Sequence, residues 1–173
     1  VKVIEIPQRG KGYALIKGFD NAKYNSLGFL DADNPFDLSK ILKMIEIVEN
    51  SEKADIAIAT KYLKRQAKLQ DSQIRRFLSL GAHFTSRILF NMNFRDTQAG
   101  AKFFKKEVWQ KVKKDFICKG FDFDIEFLYK AKKQKFKIAE IYIPIEYEKF
   151  STFRLKYLPG MLKRLFKLRF KLI

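Results

Sequence analysis

The sequence predicts an α/β domain with a mainly parallel sheet. Short apolar runs at Val1–Ile6 (VKVIEI), Ser26–Leu30 (SLGFL) and Asp55–Thr60 (DIAIAT) alternate with segments of helical periodicity. An acidic pair, Asp31 and Asp33, follows the second run, at the carboxyl edge where sheets of this kind bind ligands. At 173 residues the chain suits one domain with a real core and no need of disulfide or metal staples.

Each element has its own signal. Val1–Ile6 alternates and is β-branched, so it reads as a strand. The RGKG turn at Arg9–Gly12 opens a helix running to about Lys23, and Ser26–Leu30 reads as a buried strand. Leu38, Ile41, Leu42, Ile45 and Val48 share one helical face, with Pro35 and Asp37 as start signals. After DIAIAT a long helix is expected over about Ser72–Phe90, with Ile74, Phe77, Gly81, Phe84 and Ile88 inward. Beyond the polar loop Asp96–Gly100, a strand at Ala101–Phe104 and helices near Glu107–Val112 and Phe121–Gln134 follow. Ile138–Tyr147 alternates as a strand, with Pro144 marking an edge or bend.

The tail differs in character. From Lys149 to Ile173 there are eight basic residues and no acidic one, within a net charge of +17. Leu158, Met161, Leu162, Leu165, Leu168 and Leu172 fall on one helical face and Lys163, Arg164, Lys167 and Lys171 on the other, with Arg169 snorkelling from the apolar side. Such a helix suits a membrane interface; packing on a neighbouring domain is the alternative. No apolar run approaches the roughly 20 residues that span a bilayer. The single cysteine, Cys118, allows no internal disulfide and fits a reducing compartment. The 18 phenylalanines argue against disorder.

Three elements carry chemistry. Asp31-Ala32-Asp33 places two carboxylates where both reach one hard cation, with Mg²⁺ or Mn²⁺ sharing them with substrate phosphates; helix capping by Asp33 or Asp37 is the plain alternative. In RGKG the glycines allow close backbone approach, and Arg9 and Lys11 supply positive charge for an anion at a helix start. It matches neither GxxxxGK[ST] nor GxGxxG, and an ordinary tight turn explains it equally. Asp96–Gly100 (DTQAG) and Phe121–Glu126 (FDFDIE) bring further carboxylates, with Asp122 and Glu126 sharing a helical face and Asp124 turned away. Caps and surface charges account for these taken singly. His83 lies within a helix and reads as packing.

In order, RGKGYAL, LGFLDAD, ADIAIATKYLK, IRRFLSLGAHFTSRIL, RDTQAGAKFFKKEV, GFDFDIEFLYKAKK, IAEIYIPIEYE and STFRL resemble family 2 glycosyltransferases of the GT-A fold. The closest branch is the dolichyl- or polyprenyl-phosphate sugar synthases, nearer the glucosyl than the mannosyl type. The resemblance implies that Asp31 and Asp33 match the metal-binding DxD. It aligns Asp96 and Gln98 with the acceptor-side loop, and Asp124 and Glu126 with the FDxE element. Arg75 and Ser79 match residues that hold the lipid phosphate, and Lys61 stands where many members carry Arg. Ser151 and Arg154 fall in the stretch that closes over the donor, although STFR departs from the usual SK pattern. Pro35 replaces the Gln that serves mannosyl-type members as a further metal ligand.

The implied activity is inverting transfer of a hexose, glucose favoured, from a UDP- or GDP-sugar to dolichyl or polyprenyl phosphate at the cytoplasmic face of a membrane. The implied organisation is a catalytic domain over 1–150 and a basic segment over 151–173 meeting an anionic membrane. The family's opening strand–helix–strand and its AYNE-like segment have no match, so the chain is expected to enter the fold at its third strand and to need a further segment. Two alternatives stand beside this: a polysaccharide or glycolipid acceptor, and a non-enzymatic basic module. Nucleic acid is not expected as a partner, because no recognition motif or exposed aromatic-basic sheet accompanies the charge.

Overall fold

The computed structural model describes residues 2–32, 37–50, 52, 54–60, 87–143 and 157–170. Along them run α1 (Lys11–Asn21), β1 (Ser26–Leu30), α2 (Leu38–Glu49), β2 (Ile56–Thr60), β3 (Ala101–Lys105), α3 (Lys106–Val112), α4 (Phe123–Lys133), β4 (Ile138–Tyr142) and α5 (Leu158–Phe170). Residues 87–90 are also helical.

The four strands form one sheet in the order β1-β3-β2-β4. Only β2–β4 is parallel; β3 runs antiparallel to both β1 and β2, so the sheet is mixed rather than mainly parallel. Period-two alternation divides β2 between the sheet faces. Ile56 and Ile58 join an aromatic core, while Ala57 and Ala59 meet Ile41, Met44 and Val48 of α2. The small alanines leave room for α2 to lie close to the sheet.

On the opposite face Phe19, Phe104, Trp109, Phe116, Phe123 and Phe127 interlock, with Phe19 edge-on to Phe104 at 5.0 Å and Phe116 stacked on Phe123 at 4.9 Å. Such pairs add about 0.5–1.5 kcal/mol each beyond the area they bury. This cluster fixes α1, α3 and α4 against the sheet.

Local signals explain several element starts. Asp37 caps α2, accepting from the Ser39 N–H at 2.9 Å and its hydroxyl at 2.8 Å. Those hydrogen bonds lower the carboxyl pKa. Gly10, with φ 146°, turns the chain into α1 where an L side chain is strained, and a Cβ there would lie 2.6 Å from the Lys119 carbonyl.

Some expectations fail for physical reasons. Residues 2–6 form no strand, although they alternate, because among the described residues no ladder partners them. In β1 only Leu27 is fully buried, since the strand lies at the sheet edge. On α2, Leu38 and Leu42 are exposed and Met44 is buried, a rotation of the inward face. Ile88, expected inward, is exposed.

The tail helix shows the largest change. Met161, Leu165 and Leu168 of α5 are buried, and the latter two belong to the aromatic core. The apolar stripe thus packs on the domain. Arg164, grouped with the solvent-facing cations, turns inward to Asp122, and Arg169 is exposed rather than on the buried stripe. No described helix is long and apolar enough to cross a membrane.

Candidate functional site

The carboxyl end of β1 delivers Asp31 to the mouth of the sheet, where its side chain is 41% exposed. Its N–H donates to the Gly100 carbonyl at 2.8 Å, tying the end of β1 to the loop that precedes β3. A Cβ on Gly100 would lie 2.6 Å from Asp31 Oδ2, so glycine is what lets loop and carboxylate touch. Asp31 Oδ1 faces the ammonium of Lys11 at 3.2 Å.

Lys11 is the first residue of α1, and its head lies between two carboxylates. Asp124 Oδ2 is also 3.2 Å away. Asp124 in turn presents Oδ1 to Lys102 Nζ at 2.8 Å, and Lys102 donates to the Ala99 carbonyl at 2.7 Å. The result is an alternating chain, Asp31–Lys11–Asp124–Lys102, that runs from the half-exposed mouth into the interior. Burial lowers the pKa of Lys11, but the charges of Asp124 and Asp31 outweigh it and hold the group above its ordinary value. Phe29 borders both lysines, with ring centroid 4.8 Å from Lys11 Nζ and 5.3 Å from Lys102 Nζ.

The Asp96–Gly100 loop is braced from within. Asp96 Oδ1 accepts the Gln98 N–H at 3.1 Å, an Asx turn, and Gln98 Nε2 donates to the Phe121 carbonyl at 3.2 Å. The second bond links this loop to the start of α4. Along α4, Asp124 turns to the lysines, while Asp122 and Glu126 face the Ile117–Gly120 segment, as their spacing predicts.

Glu126 is held differently. Its Oε2 accepts the N–H groups of Ile117 and Cys118 at 2.9 and 2.7 Å, and its Oε1 pairs with Lys130 at 2.9 Å. Asp122 Oδ1 accepts from the Gly120 N–H at 3.2 Å, and the carboxylate takes a two-pronged contact from Arg164, Nε to Oδ2 at 2.6 Å and Nη2 to Oδ1 at 3.2 Å. Those hydrogen bonds raise the Arg164 pKa. Cys118 is buried in this corner, where desolvation and the two carboxylates push its thiol pKa strongly upward.

Of the expected site residues, the structure brings together Lys11, Asp31, Asp124 and the loop of Asp96 and Gln98. Arg9 is exposed on the bend before α1, and Glu126 belongs to the adjoining corner. Asp33, Lys61, Arg75, Ser79, Ser151 and Arg154 lie outside the described residues, as do Pro35 and His83. Lys102 and Arg164 have no place among the expected site residues, and Asp122 enters them only as one carboxylate of FDFDIE. Lys102 carried one signal, an Ala-Lys-Phe-Phe strand directly after DTQAG that puts a lysine at a central position of the sheet.

Asp31 fits a divalent cation in one respect: it is a hard oxygen donor, half-exposed, cradled where a side chain on Gly100 would intrude. Among the described residues no group of three or more His, Cys, Asp or Glu side chains could hold a metal, so a cation here would depend on substrate oxygens or residues outside them.

The family model for "Glycosyl transferase family 2" matches residues 1–113. The dolichyl-phosphate beta-glucosyltransferase of Drosophila melanogaster is 31% identical over 147 residues, 82% of this chain and 45% of that protein. The Saccharomyces cerevisiae enzyme of the same name is 29% identical, covering 81% and 46%. Polyprenol monophosphomannose synthase of Mycolicibacterium smegmatis is 28% identical, covering 76% and 51%. The chain thus spans about half the length of the curated relatives it matches.

Among solved structures, glucosyl-3-phosphoglycerate synthase of Mycobacterium tuberculosis bound to UDP superposes with a TM-score of 0.68. It covers 96% of this chain and 56% of that one at 14% identity. The same enzyme with Mn²⁺, UDP-glucose and glycerol 3-phosphate gives 0.64 at 14% identity, covering 95% and 56%. At such identity these show the fold alone.

Proposed function

The chain belongs to glycosyl transferase family 2 and carries its GT-A α/β fold, and from that premise we propose that it serves hexose transfer from a nucleotide diphosphate sugar to a polyprenyl or dolichyl phosphate. Glucose is the favoured sugar, because most of the relatives named above are dolichyl-phosphate glucosyltransferases. The observation that carries the proposal is Asp31, a half-exposed carboxylate at the end of a strand, bracketed by Gly100 and the Lys11 ammonium.

The chemistry asks little of a base. A phosphate monoester has a second pKa of about 6, so the acceptor oxygen is already largely ionised at pH 7. Attack at the anomeric carbon then needs alignment and charge balance. Lys11 provides positive charge at the mouth, shared between Asp124 and Asp31 and within reach of an incoming phosphate. The 96–100 loop, fixed to α4 through Gln98 and to β1 through Gly100, orders the acceptor side. Mg²⁺ or Mn²⁺ held by Asp31, with Asp33, would offset the charge left on the departing nucleoside diphosphate.

The reaction is proposed for the cytoplasmic face of an anionic membrane. Because the Leu stripe of α5 is spent on the core, the contact falls to its outer surface. There Phe166 and Phe170, 48% and 58% exposed, stack on each other at 6.3 Å beside Lys163 and Lys167.

The test uses the full-length protein in detergent with Mn²⁺ and polyprenyl phosphate, comparing UDP-glucose, UDP-N-acetylglucosamine and GDP-mannose for labelled sugar entering the lipid. Metal-dependent labelling by one donor, abolished in Asp31→Ala, is the expected result. Folded protein that labels no lipid phosphate from any donor sinks the acceptor and points to a polysaccharide or glycolipid instead.

A further inference from the structure

A lysine with none of its surface exposed lies at the centre of the sheet. Lys102 pairs in register with Phe29 on one side and Ile58 on the other, and its residue exposure is 0%. Among the described residues its ammonium meets Asp124 Oδ1 at 2.8 Å and the Ala99 carbonyl at 2.7 Å, beside the Phe29 ring. Burial drives its pKa down; Asp124 and Asp96 oppose that and Lys11 reinforces it. Replacing both members of a buried ion pair by apolar groups is often neutral or stabilising, whereas removing one member strands the other. Stability alone therefore gives no reason for the Lys102–Asp124 pair.

Its location does. One contact of Lys102 reaches the loop whose Gly100 touches Asp31, and the other reaches the carboxylate that shares Lys11 with Asp31. Asp124 divides its two oxygens between the lysines, Oδ1 to Lys102 and Oδ2 to Lys11. If Lys102 is removed, the whole charge of Asp124 falls on Lys11 while the Ala99 carbonyl loses its donor. Both sides of the mouth are then free to shift.

We propose that Lys102 is a positioning residue of the transfer site, holding Lys11 beside Asp31 through Asp124 and holding the 96–100 loop through Ala99. Being wholly buried, it touches no substrate. The proposal rests on the donor reading above, so its test begins with a measurement that needs no turnover.

UDP is titrated calorimetrically, with and without Mn²⁺, into the full-length wild type, K102M, K11M and K102M/K11M, each checked for folding by thermal melting. K102M should weaken Mn²⁺-dependent UDP binding by about tenfold. The double variant should lose less than the product of the two single losses, because the Asp124 contact of Lys102 works through Lys11 while its Ala99 contact does not. In the transfer assay, K102M should lower kcat by about a hundredfold with the acceptor KM within about threefold of wild type.

A K102M that binds UDP and turns over like wild type overturns the proposal, and so do losses that multiply in the double variant. Should K102M fail to fold, K102Q takes its place under the same criteria. Wild-type protein is also titrated with GDP; binding of neither nucleotide with Mn²⁺ is a separate result, which sinks the donor reading, and the role of Lys102 falls with it.

Discussion

Asp124 and Glu126 stand two residues apart on α4, both buried, yet they are held in opposite ways. Glu126 is closed: two backbone N–H groups take one oxygen and Lys130 the other. Among the described residues Asp124 meets the heads of Lys11 and Lys102, and through Lys11 its charge is relayed to Asp31 at the surface. A carboxylate satisfied by backbone fixes a corner of the fold. One satisfied by long cationic side chains keeps charge that a ligand can redistribute. Two carboxylates within one helix turn thus differ, one fixed as scaffold and the other tied into the lysine chain, according to what each touches.

That contrast can be broken most severely at Asp31. Asp31→Asn should cut metal-dependent transfer by about 10²–10³-fold, with little loss of thermal stability, because the side chain is already half in water. Unchanged transfer would remove Asp31 from the site.

Next comes Asp124→Ala, which strands a fully buried ammonium. An unfolding free energy lower by about 3–5 kcal/mol in urea denaturation is expected. A loss under 1 kcal/mol would mean that Lys102 is not charged in the folded protein.

Glu126→Gln should cost about 1–3 kcal/mol and leave the Mn²⁺ concentration for half-maximal transfer where it was. A shifted metal requirement would bring Glu126 into the site. Arg164→Met leaves Asp122 buried with the Gly120 N–H. Since the guanidinium is partly exposed and screened, a smaller loss, about 1–2 kcal/mol, is expected in the same denaturation experiment.

The smallest effect belongs to Asp55. It accepts the Lys137 N–H at 2.8 Å and the Lys105 ammonium at 3.0 Å. Burial pushes its pKa up, but these bonds and the charges of Lys105 and Lys137 win, leaving it below its ordinary value. Its stabilisation is therefore present above the unfolded carboxylate pKa, near 3.9, and lost as pH falls through the lower folded value. Comparing wild type with Asp55→Asn by thermal melting from pH 7 to pH 3, the gap should stay under about 1 kcal/mol and close at the acid end. A gap that widens in acid would reverse the assigned direction.

Much of this was legible in the chain, and the rest was not, for identifiable reasons. Apolar runs and start signals located β1, β2, α2 and α4 to within a few residues, because periodicity and capping are local. Strand direction is not local: β3 follows β2 after a long connection, and nothing in AKFFK states that it enters the sheet reversed. Nor does a pattern distinguish a buried lysine from a solvated one until its partner is known. Lys102 meets Asp124 across 22 positions, and Lys11 meets the same carboxylate from the other end of the domain. Arg164 failed by the same logic, since its place on the basic face concealed Asp122. The candidate site carboxylates stand out through ordered motifs that resemble a family, not through spacing alone.

Cys118 offers a last consequence. The sequence holds one thiol, and it sits at the corner where Glu126 and Asp122 gather the chain before α4. A thiol so shielded reacts only when that corner opens. In this 173-residue chain its modification rate by a colourless disulfide reagent therefore clocks the opening of the first turn of α4, with no label to engineer.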